Sequence, residues 1–185
     1  MSLGRWAVGV GALVVLAATG AWAKWPADTG AGRQVDARLW SGIRPVLEAG
    51  LEAGNRGSGY GGTHPGLGAR WFCRAEPLAL REHGTEVWAD VDTLCVEYGV
   101  RGGALVGCGG EQVPQVVRLA RKADGGYRLP AREEAPDGAG NASRTQAHFG
   151  RAAGYAVEEP MDSAGLERAA RTHFGLPADA PVRDC

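Results

Sequence analysis

The sequence predicts an α+β domain in which one N-terminal helix packs on a four-stranded antiparallel sheet. Two patterns carry this prediction. Apolar residues recur at helical spacing between about 34 and 53, and four stretches with strand character follow them, separated by turn sequences. A chain of 185 residues fits one domain, because typical domains contain roughly 100–200 residues. One long helix followed by a meander of strands therefore predicts a two-layer arrangement.

The predicted helix is amphipathic, and its apolar face is formed by Val35, Leu39, Ile43, Val46, Leu47 and Leu51. Pro45 lies inside it. Because proline removes a backbone donor and clashes with the preceding turn, we expect a kink near Ser41-Gly42 or a split into two short helices. Glycines are abundant between residues 54 and 68 and no periodicity is visible there, which predicts a loop.

Four antiparallel strands are predicted at 70–82, 86–98, 104–108 with 113–121, and 126–133. The second strand alternates clearly. Its first face is apolar and small, as expected beneath a helix, and consists of Val87, Ala89, Val91, Thr93 and Cys95. Its other face is mixed, consists of Trp88, Asp90, Asp92, Leu94 and Val96, and is expected to turn its carboxylates towards solvent. Beyond the sheet, helices are predicted at 143–149 and at about 163–174, the second ending at Gly175.

The N-terminal segment has the composition of a segment that enters a membrane. Trp6 to Ala23 is an uncharged run of 18 apolar or small residues, at the lower edge of the length that spans a bilayer. It ends in the small-x-small sequence Ala21-Trp22-Ala23, which favours a cleaved signal peptide and a secreted product. An uncleaved signal anchor, a transmembrane helix that keeps the protein on the membrane, is the alternative. Both place the single domain of residues 34–185, after a linker at 24–33, outside the cytoplasm.

Four cysteines, Cys73, Cys95, Cys108 and Cys185, all follow the apolar segment, and export with an even count predicts two disulfides. Cys73 and Cys95 are equidistant from Gly84, so an antiparallel hairpin of that register would place them face to face. Cys108 would then pair with Cys185. A second hairpin around Arg101-Gly102 could instead pair Cys95 with Cys108, and this alternative stays open.

Three stretches carry a resemblance to a known group: Trp71-Phe72-Cys73, Thr93-Leu94-Cys95-Val96-Glu97-Tyr98, and Ala135-Pro136-Asp137-Gly138-Ala139-Gly140 with Phe149-Gly150 after it. Together they resemble a family of uncharacterised exported actinobacterial proteins. The order of helix and meander is in turn similar to the cystatin-like and nuclear transport factor 2-like shape. The resemblance covers about residues 35–150, excludes Cys108 and Cys185, and implies extracytoplasmic placement without an activity.

Candidate catalytic and metal-binding groups are weak. Asp90 and Asp92 could share a proton or a cation, although two such residues more often mark a solvated strand face. The four histidines, His64, His83, His148 and His173, show no HxxxH or HExxH spacing, and no cysteine pair has CxxC spacing. Four aromatic residues, Trp71, Phe72, Trp88 and Tyr98, are expected to cluster on neighbouring strands as core packing. No catalytic, cofactor-binding or metal-binding residue is therefore assigned.

These observations favour a non-catalytic exported domain that binds a protein, a cell-envelope component or a small ligand. The net charge of −1 and the lack of a Lys/Arg-rich run exclude a typical nucleic-acid binder. A small enzyme of the ketosteroid-isomerase type is the alternative, and it would need an acidic cavity between helix and sheet. A secreted inhibitor is the third hypothesis. It would require an exposed, disulfide-braced reactive loop, and the only candidate, the glycine-rich stretch 54–68, contains no cysteine.

The topology predicts a definite mass for the exported protein. We expect the mature chain to lack residues 1–23 and to gain about four protons on reduction, because a signal peptidase removes the segment and two disulfides form outside the cytoplasm. Intact-mass spectrometry before and after reduction measures both changes. A product that keeps residues 1–23 indicates the signal anchor instead, and four free thiols would contradict the disulfide prediction.

Overall fold

The structure is a computed structural model that describes residues 35–134 and 159–185. Over this part of the chain the helices are α1 (Ala37–Gly54), α2 (Tyr60–Thr63) and α3 (Ala164–His173), with a 3-10 turn at Pro65–Leu67. The strands are β1 (Arg70–His83), β2 (Glu86–Arg101), β3 (Ala104–Arg121), β4 (Tyr127–Glu134) and β5 (Val182–Asp184). The predicted α+β fold, an N-terminal helix packed on an antiparallel sheet, is confirmed.

The sheet has the spatial order β1-β2-β3-β4, with every neighbouring pair antiparallel, and β5 adds to β3 in parallel. Two points differ from the prediction. The three-residue strand β5 was not predicted, and β3 is one continuous strand instead of two pieces. A bulge keeps β3 intact across its glycines, because Gly107 and Gly109 pair with Tyr98 and Glu97 and leave Cys108 as the extra residue.

Helix α1 begins after Asp36, whose carboxylate accepts hydrogen bonds from the backbone N–H groups of Arg38 and Leu39, each at 2.9 Å. The helix runs without interruption through Pro45, so the predicted split is wrong. Proline is tolerated here because its ring is exposed and the carbonyl that loses a donor belongs to Ser41, which also lies on the solvent side.

The space between α1 and the sheet is filled by apolar side chains. Ile43, Leu47 and Leu51 of the helix are almost completely buried. They pack with one face of the sheet, formed by Cys73, Ala75, Val87, Ala89, Val91, Cys95, Val117 and Leu119. This is the face that the alternation of β2 predicted for the helix. The register of β1, β2 and β3 therefore determines which side chains form the main core.

The opposite face of the sheet is covered in part by α3. Leu166 and Ala170 of this helix are buried against Tyr98 and Leu105, with Phe72, Leu94, Val96, Phe174 and Leu176 around them. Helix α3 ends before Gly175, which has the left-handed φ of 63° that favours glycine at this position. The sheet is thus covered on one face by α1 and, around Tyr98 and Leu105, on the other face by α3.

Helix α1 also protects the edge of the sheet. The outward-pointing N–H groups of Cys73 and Ala75 on β1 donate to the side-chain carboxylates of Glu52 and Glu48, each at 3.2 Å. Burial is the main reason why the pKa of Glu48 is raised above its ordinary value. These two backbone donors of the edge strand are therefore satisfied by the helix that packs above it.

Several predictions concern residues outside the described ranges: the segment 1–23, the linker 24–33, the helix at 143–149 and the motif that begins at Ala135. None of the helices within residues 35–134 and 159–185 combines the length and hydrophobicity needed to cross a membrane.

Candidate functional site

The two disulfides occupy very different positions. Cys73 is bonded to Cys95 across β1 and β2, within the core beneath α1. Cys108, at the bulge of β3, is bonded to Cys185 at the end of the chain. This is the first of the two pairings considered above. Two disulfides indicate an oxidising, extracytoplasmic location, because thiols remain reduced in the cytosol of most cells.

The prediction that Asp90 and Asp92 face solvent is wrong, since each residue is only 3% exposed. Asp90 forms an ion pair with Arg81, whose Nη2 lies 2.6 and 2.7 Å from the two carboxylate oxygens. Alternation along one strand assigned the correct face. It could not show that other parts of the chain bury that face.

Asp92 belongs to a polar network that attaches the segment before α3 to the sheet. The Gln112 side-chain amide donates to Asp92 Oδ2 at 2.6 Å and to the backbone carbonyl of Glu159 at 2.9 Å. The same side chain accepts from the N–H of Met161 at 2.9 Å. No residue of the part of the chain that the structure describes forms a hydrogen bond with the buried Asp92 Oδ1. Burial raises the pKa of the Asp92 carboxyl, the bond from Gln112 lowers it in part, and nearby Glu76 raises it.

A more accessible site is the glycine loop, which we define as residues 55–68 between α1 and β1. Two side chains of the sheet hold it. The backbone N–H of Gly61 donates to both carboxylate oxygens of Glu97 at 3.1 Å, and the Trp71 indole N–H donates to the carbonyl of Ser58 at 3.3 Å. Glu97 is only 2% exposed. The loop is thus attached to a buried carboxylate, which fixes its path over the sheet.

Two glycines allow this close approach. A Cβ atom on Gly61 would lie 2.5 Å from both the Ala69 Cβ and Glu97 Oε1. A Cβ on Gly59 would lie 2.6 Å from Glu97 Oε2, and Gly59 also has a φ of 82°, in the region that side chains disfavour. Packing around Glu97 therefore requires glycine at these two positions of the loop.

The core disulfide lies beside the residues that hold the loop. Trp71 and Glu97 are directly opposite each other in the register of β1 and β2. Cys73 and Cys95 form the next pair on the same face of the sheet. Because the covalent link fixes the hairpin at this point, it also fixes the spacing between Trp71 and Glu97. The glycine loop contains no cysteine, but the two sheet residues that hold it are fixed in position by a disulfide.

The outer surface of the loop presents an aromatic pair. The rings of Tyr60 and His64 stack with centroids 3.7 Å apart and planes 6° from parallel, and Tyr60 is 38% exposed. His64 Nδ1 lies 3.1 Å from the Tyr60 carbonyl and 2.9 Å from the Thr63 hydroxyl, which itself donates to that carbonyl. Since a carbonyl only accepts, Nδ1 carries the proton in the neutral ring and Nε2 is left as an acceptor on an exposed side chain.

The other predicted aromatic and histidine residues do not form one site. Trp71 packs on the α1 face, whereas Phe72 and Tyr98 lie on the α3 face with ring centroids 6.0 Å apart. Trp88 lies towards the β1–β2 turn, where the Arg118 guanidinium is 4.4 Å from its ring. The expected four-membered cluster is therefore wrong. Within the ranges 35–134 and 159–185, no group of three His, Cys, Asp or Glu side chains could hold a metal ion.

Other predicted groups are scattered. His83 contacts Trp88 at the β1–β2 turn, with ring centroids 4.7 Å apart and planes tilted by 49°, and the ring centroids of His173 and Phe72 are 5.7 Å apart. His148 lies outside the described residues, as do the predicted cleavage positions Ala21 and Ala23. The sequence did not predict roles for Glu97, Gln112 and Arg81. Glu97 could have been recognised, because it continues the alternation of inward-facing residues that begins at Val87 and is the only charged residue among them.

Substitution of two loop glycines tests the packing around Glu97. We expect Gly61→Ala to lower the free energy of unfolding by about 1–3 kcal/mol, because the new methyl group overpacks the contact with Ala69 and Glu97. Gly66→Ala is the matched control, since no atom lies within 4 Å of its added Cβ. Its effect should stay within about 0.5 kcal/mol, as for ordinary surface changes. Urea unfolding measures both, and equal effects would contradict the packing.

The raised pKa of Asp92 predicts a pH dependence of stability. The folded protein binds this proton more readily than the unfolded chain does, so the contribution of Asp92 to stability should grow as pH falls from neutral through its raised pKa. Below the ordinary pKa of aspartate the gain becomes constant. Asp92→Asn removes the titration and keeps an acceptor for Gln112.

The difference in unfolding free energy between the wild type and Asp92→Asn should therefore shift in favour of the wild type on acidification. Urea unfolding over a pH series measures it. Glu48, whose pKa is also raised, and Asp124, whose pKa is lowered by its bond from the Gly126 N–H and by Lys122, are common to both proteins and cancel. A difference that does not change with pH would show that burial does not perturb Asp92.

Comparison with known proteins identifies no family for this chain. No protein-family model matches it, and no curated protein or solved structure is similar enough to count as a match. Of the resemblance based on Trp71-Phe72-Cys73 and the two later stretches, only the fold is shown: an α+β arrangement with an N-terminal helix on an antiparallel sheet. The geometry of the described residues is therefore the basis for any functional hypothesis.

Proposed function

We propose that the protein is an exported, non-catalytic binding domain that contacts its partner through the glycine loop. Residues 6–23 deliver it across the membrane, either as a cleaved signal peptide or as an anchor that keeps the domain at the outer face. The partner is an extracytoplasmic protein or another component of the cell envelope. The helix on a four-stranded meander is in keeping with the cystatin-like shape, which is part of the same proposal.

The observation that carries the proposal is the preorganisation of the loop. Glu97 and Trp71 hold its backbone, and the disulfide Cys73–Cys95 braces both of them. A loop that is ordered before it meets a partner loses less conformational entropy on binding. Binding residues are commonly found on loops that a rigid scaffold positions. The stacked pair of Tyr60 and His64 supplies exposed aromatic surface, the type of side chain enriched in binding hot spots.

The charge of the glycine loop and its surroundings indicates which chemical groups the partner presents. Between residues 53 and 75 the sequence contains no Asp or Glu, whereas it contains Arg56, Arg70 and Arg74. Arg74 forms an ion pair with Glu76, whereas Arg56 is exposed and forms no ion pair with the residues that the structure describes. Among those residues, the buried Glu97 is the only carboxylate hydrogen-bonded to the loop. A partner that presents anionic groups beside an apolar contact is therefore the best complement.

A secreted inhibitor is the second candidate, and one observation favours it. Such a protein needs an exposed loop of fixed shape, and the glycine loop is held by hydrogen bonds to Glu97 and Trp71, whose spacing the disulfide Cys73–Cys95 fixes. The isomerase alternative receives no such support. Its cavity would lie between α1 and the sheet, where Leu47, Val91 and Leu119 with their apolar neighbours fill the space.

Photocrosslinking in the producing cells tests the proposal. A photoreactive amino acid replaces Tyr60 in the full-length chain, and the matched control replaces Thr85, which is exposed at the opposite end of β1. We expect a covalent adduct from position 60 and none from position 85, with mass spectrometry identifying the captured molecule. A captured protease would favour the inhibitor. Identical adducts from both positions, or none from position 60 in variants that melt like the wild type, would overturn the proposal.

A further inference from the structure

We propose that Cys108–Cys185 is a thiol-exchange site, which a dithiol reductant opens while Cys73–Cys95 stays intact. The proposal concerns a different end of the chain from the glycine loop and does not depend on its function. Its substrate class is a protein or small molecule with two neighbouring thiols, such as the Cys-x-x-Cys pair of a redox protein. Opening this bond releases the C-terminal strand without unfolding the domain.

The first argument is access. Thiol exchange requires a thiolate to reach a sulfur atom of the disulfide, so burial protects a bond from reduction. Cys73 and Cys95 are 5% and 3% exposed and lie in the core beneath α1. Cys185 is exposed and Cys108 is half-buried, next to the exposed glycines Gly109 and Gly110. Only the second disulfide can be approached without opening the helix–sheet core.

The exposure also indicates the direction of attack. One thiolate of the reductant attacks the Sγ of Cys185, the more exposed of the two residues, forms a mixed disulfide and displaces Cys108 as a thiolate. The second thiol of the reductant, as its thiolate, then attacks the other sulfur of the reductant, which is bonded to Cys185 in the mixed disulfide. This step releases Cys185 as a thiolate. The reductant becomes a disulfide, and the protein gains two electrons and two protons as two thiols. Oxidation by the reverse route restores the bond.

The second argument is that few interactions other than the disulfide hold β5 against the sheet. Three residues of β5 pair with Leu105, Val106 and Gly107 of β3, and all three are exposed. The flanking contacts are backbone bonds from Leu105 N–H to the Pro181 carbonyl and from Cys185 N–H to the Gly107 carbonyl, both 3.0 Å long. The side chains of Arg171 and Arg101 add one bond each, to the carbonyls of Ala180 at 3.0 Å and of Cys185 at 3.4 Å. Strand pairing this short is marginal without a covalent link.

Release of β5 would change the surface of the sheet. The backbone groups of residues 105–107 on β3 would lose their strand partner and become available to pair with an extended segment of another protein. Helix α3 would remain in place, because its buried residues Leu166 and Ala170 pack on Tyr98 and Leu105 and do not require the disulfide. The reduced protein would therefore differ from the oxidised one at a defined strand edge.

Differential alkylation of the wild-type protein tests the exchange site. The folded protein is treated with increasing concentrations of a dithiol, new thiols are alkylated, and the remaining disulfides are then reduced and labelled with a second reagent. We expect Cys108 and Cys185 to be modified at least about tenfold faster than Cys73 and Cys95, because the buried pair must first be exposed by local opening. Equal rates, faster reduction of the core pair, or no reduction before unfolding would overturn the proposal.

Hydrogen exchange tests the release of β5 separately. After selective reduction, the amide of Leu105 should lose protection while amides of the β1–β2 hairpin keep theirs. The double variant Cys108→Ser/Cys185→Ser should show the same pattern without any reductant. A Leu105 amide that stays protected in both samples would show that β5 remains bound, and this would overturn the structural part of the proposal.

Discussion

The register of the β1–β2 hairpin is the constraint on which the other features of this protein depend. Side chains alternate along a strand, so a shift by one residue would exchange the two faces of the sheet. The observed register directs Val87, Ala89 and Val91 towards α1 and places Glu97 opposite Trp71 beneath the glycine loop. The bond between Cys73 and Cys95 excludes the shifted alternatives once it has formed. Core, loop and polar network are therefore consequences of one pairing.

The two faces of β2 have different structural roles. The α1 face is a mainly apolar core that contains the buried polar pair Thr93 and Gln115 and ends in a buried carboxylate, which fixes the loop. The opposite face combines the apolar contacts of α3 with two buried carboxylates: Asp90 is paired with Arg81, and Asp92 accepts from Gln112 through one of its two oxygens. Buried charges are costly unless they are paired or hydrogen-bonded. Their positions show where remote segments of the chain meet the sheet.

Local patterns in the sequence predicted the fold, and long-range contacts explain the errors. Helix α1, the strands and the pairing of Cys73 with Cys95 depend on periodicity and on one short turn, which are readable along the chain. The burial of Asp92 depends on Gln112 and Glu159, and neither is near it in sequence. The role of Glu97 could have been found, because it places a charge at an inward position of the alternation. The three-residue β5 has no periodicity of its own, and only Cys185 indicated that the tail returns to the sheet.

The carboxylates of Glu48 and Glu52 have an effect beyond the stability of a single molecule. An unsatisfied strand edge is a template on which further copies can add, and fibres grow in this way. Here two donors on the border of β1, those of Cys73 and Ala75, are already bonded to acceptors from the same chain, so an approaching backbone would find them engaged. A copy that paired with this part of the border would have to displace both glutamates. This part of the edge is thus protected against uncontrolled assembly by the same helix that closes the core.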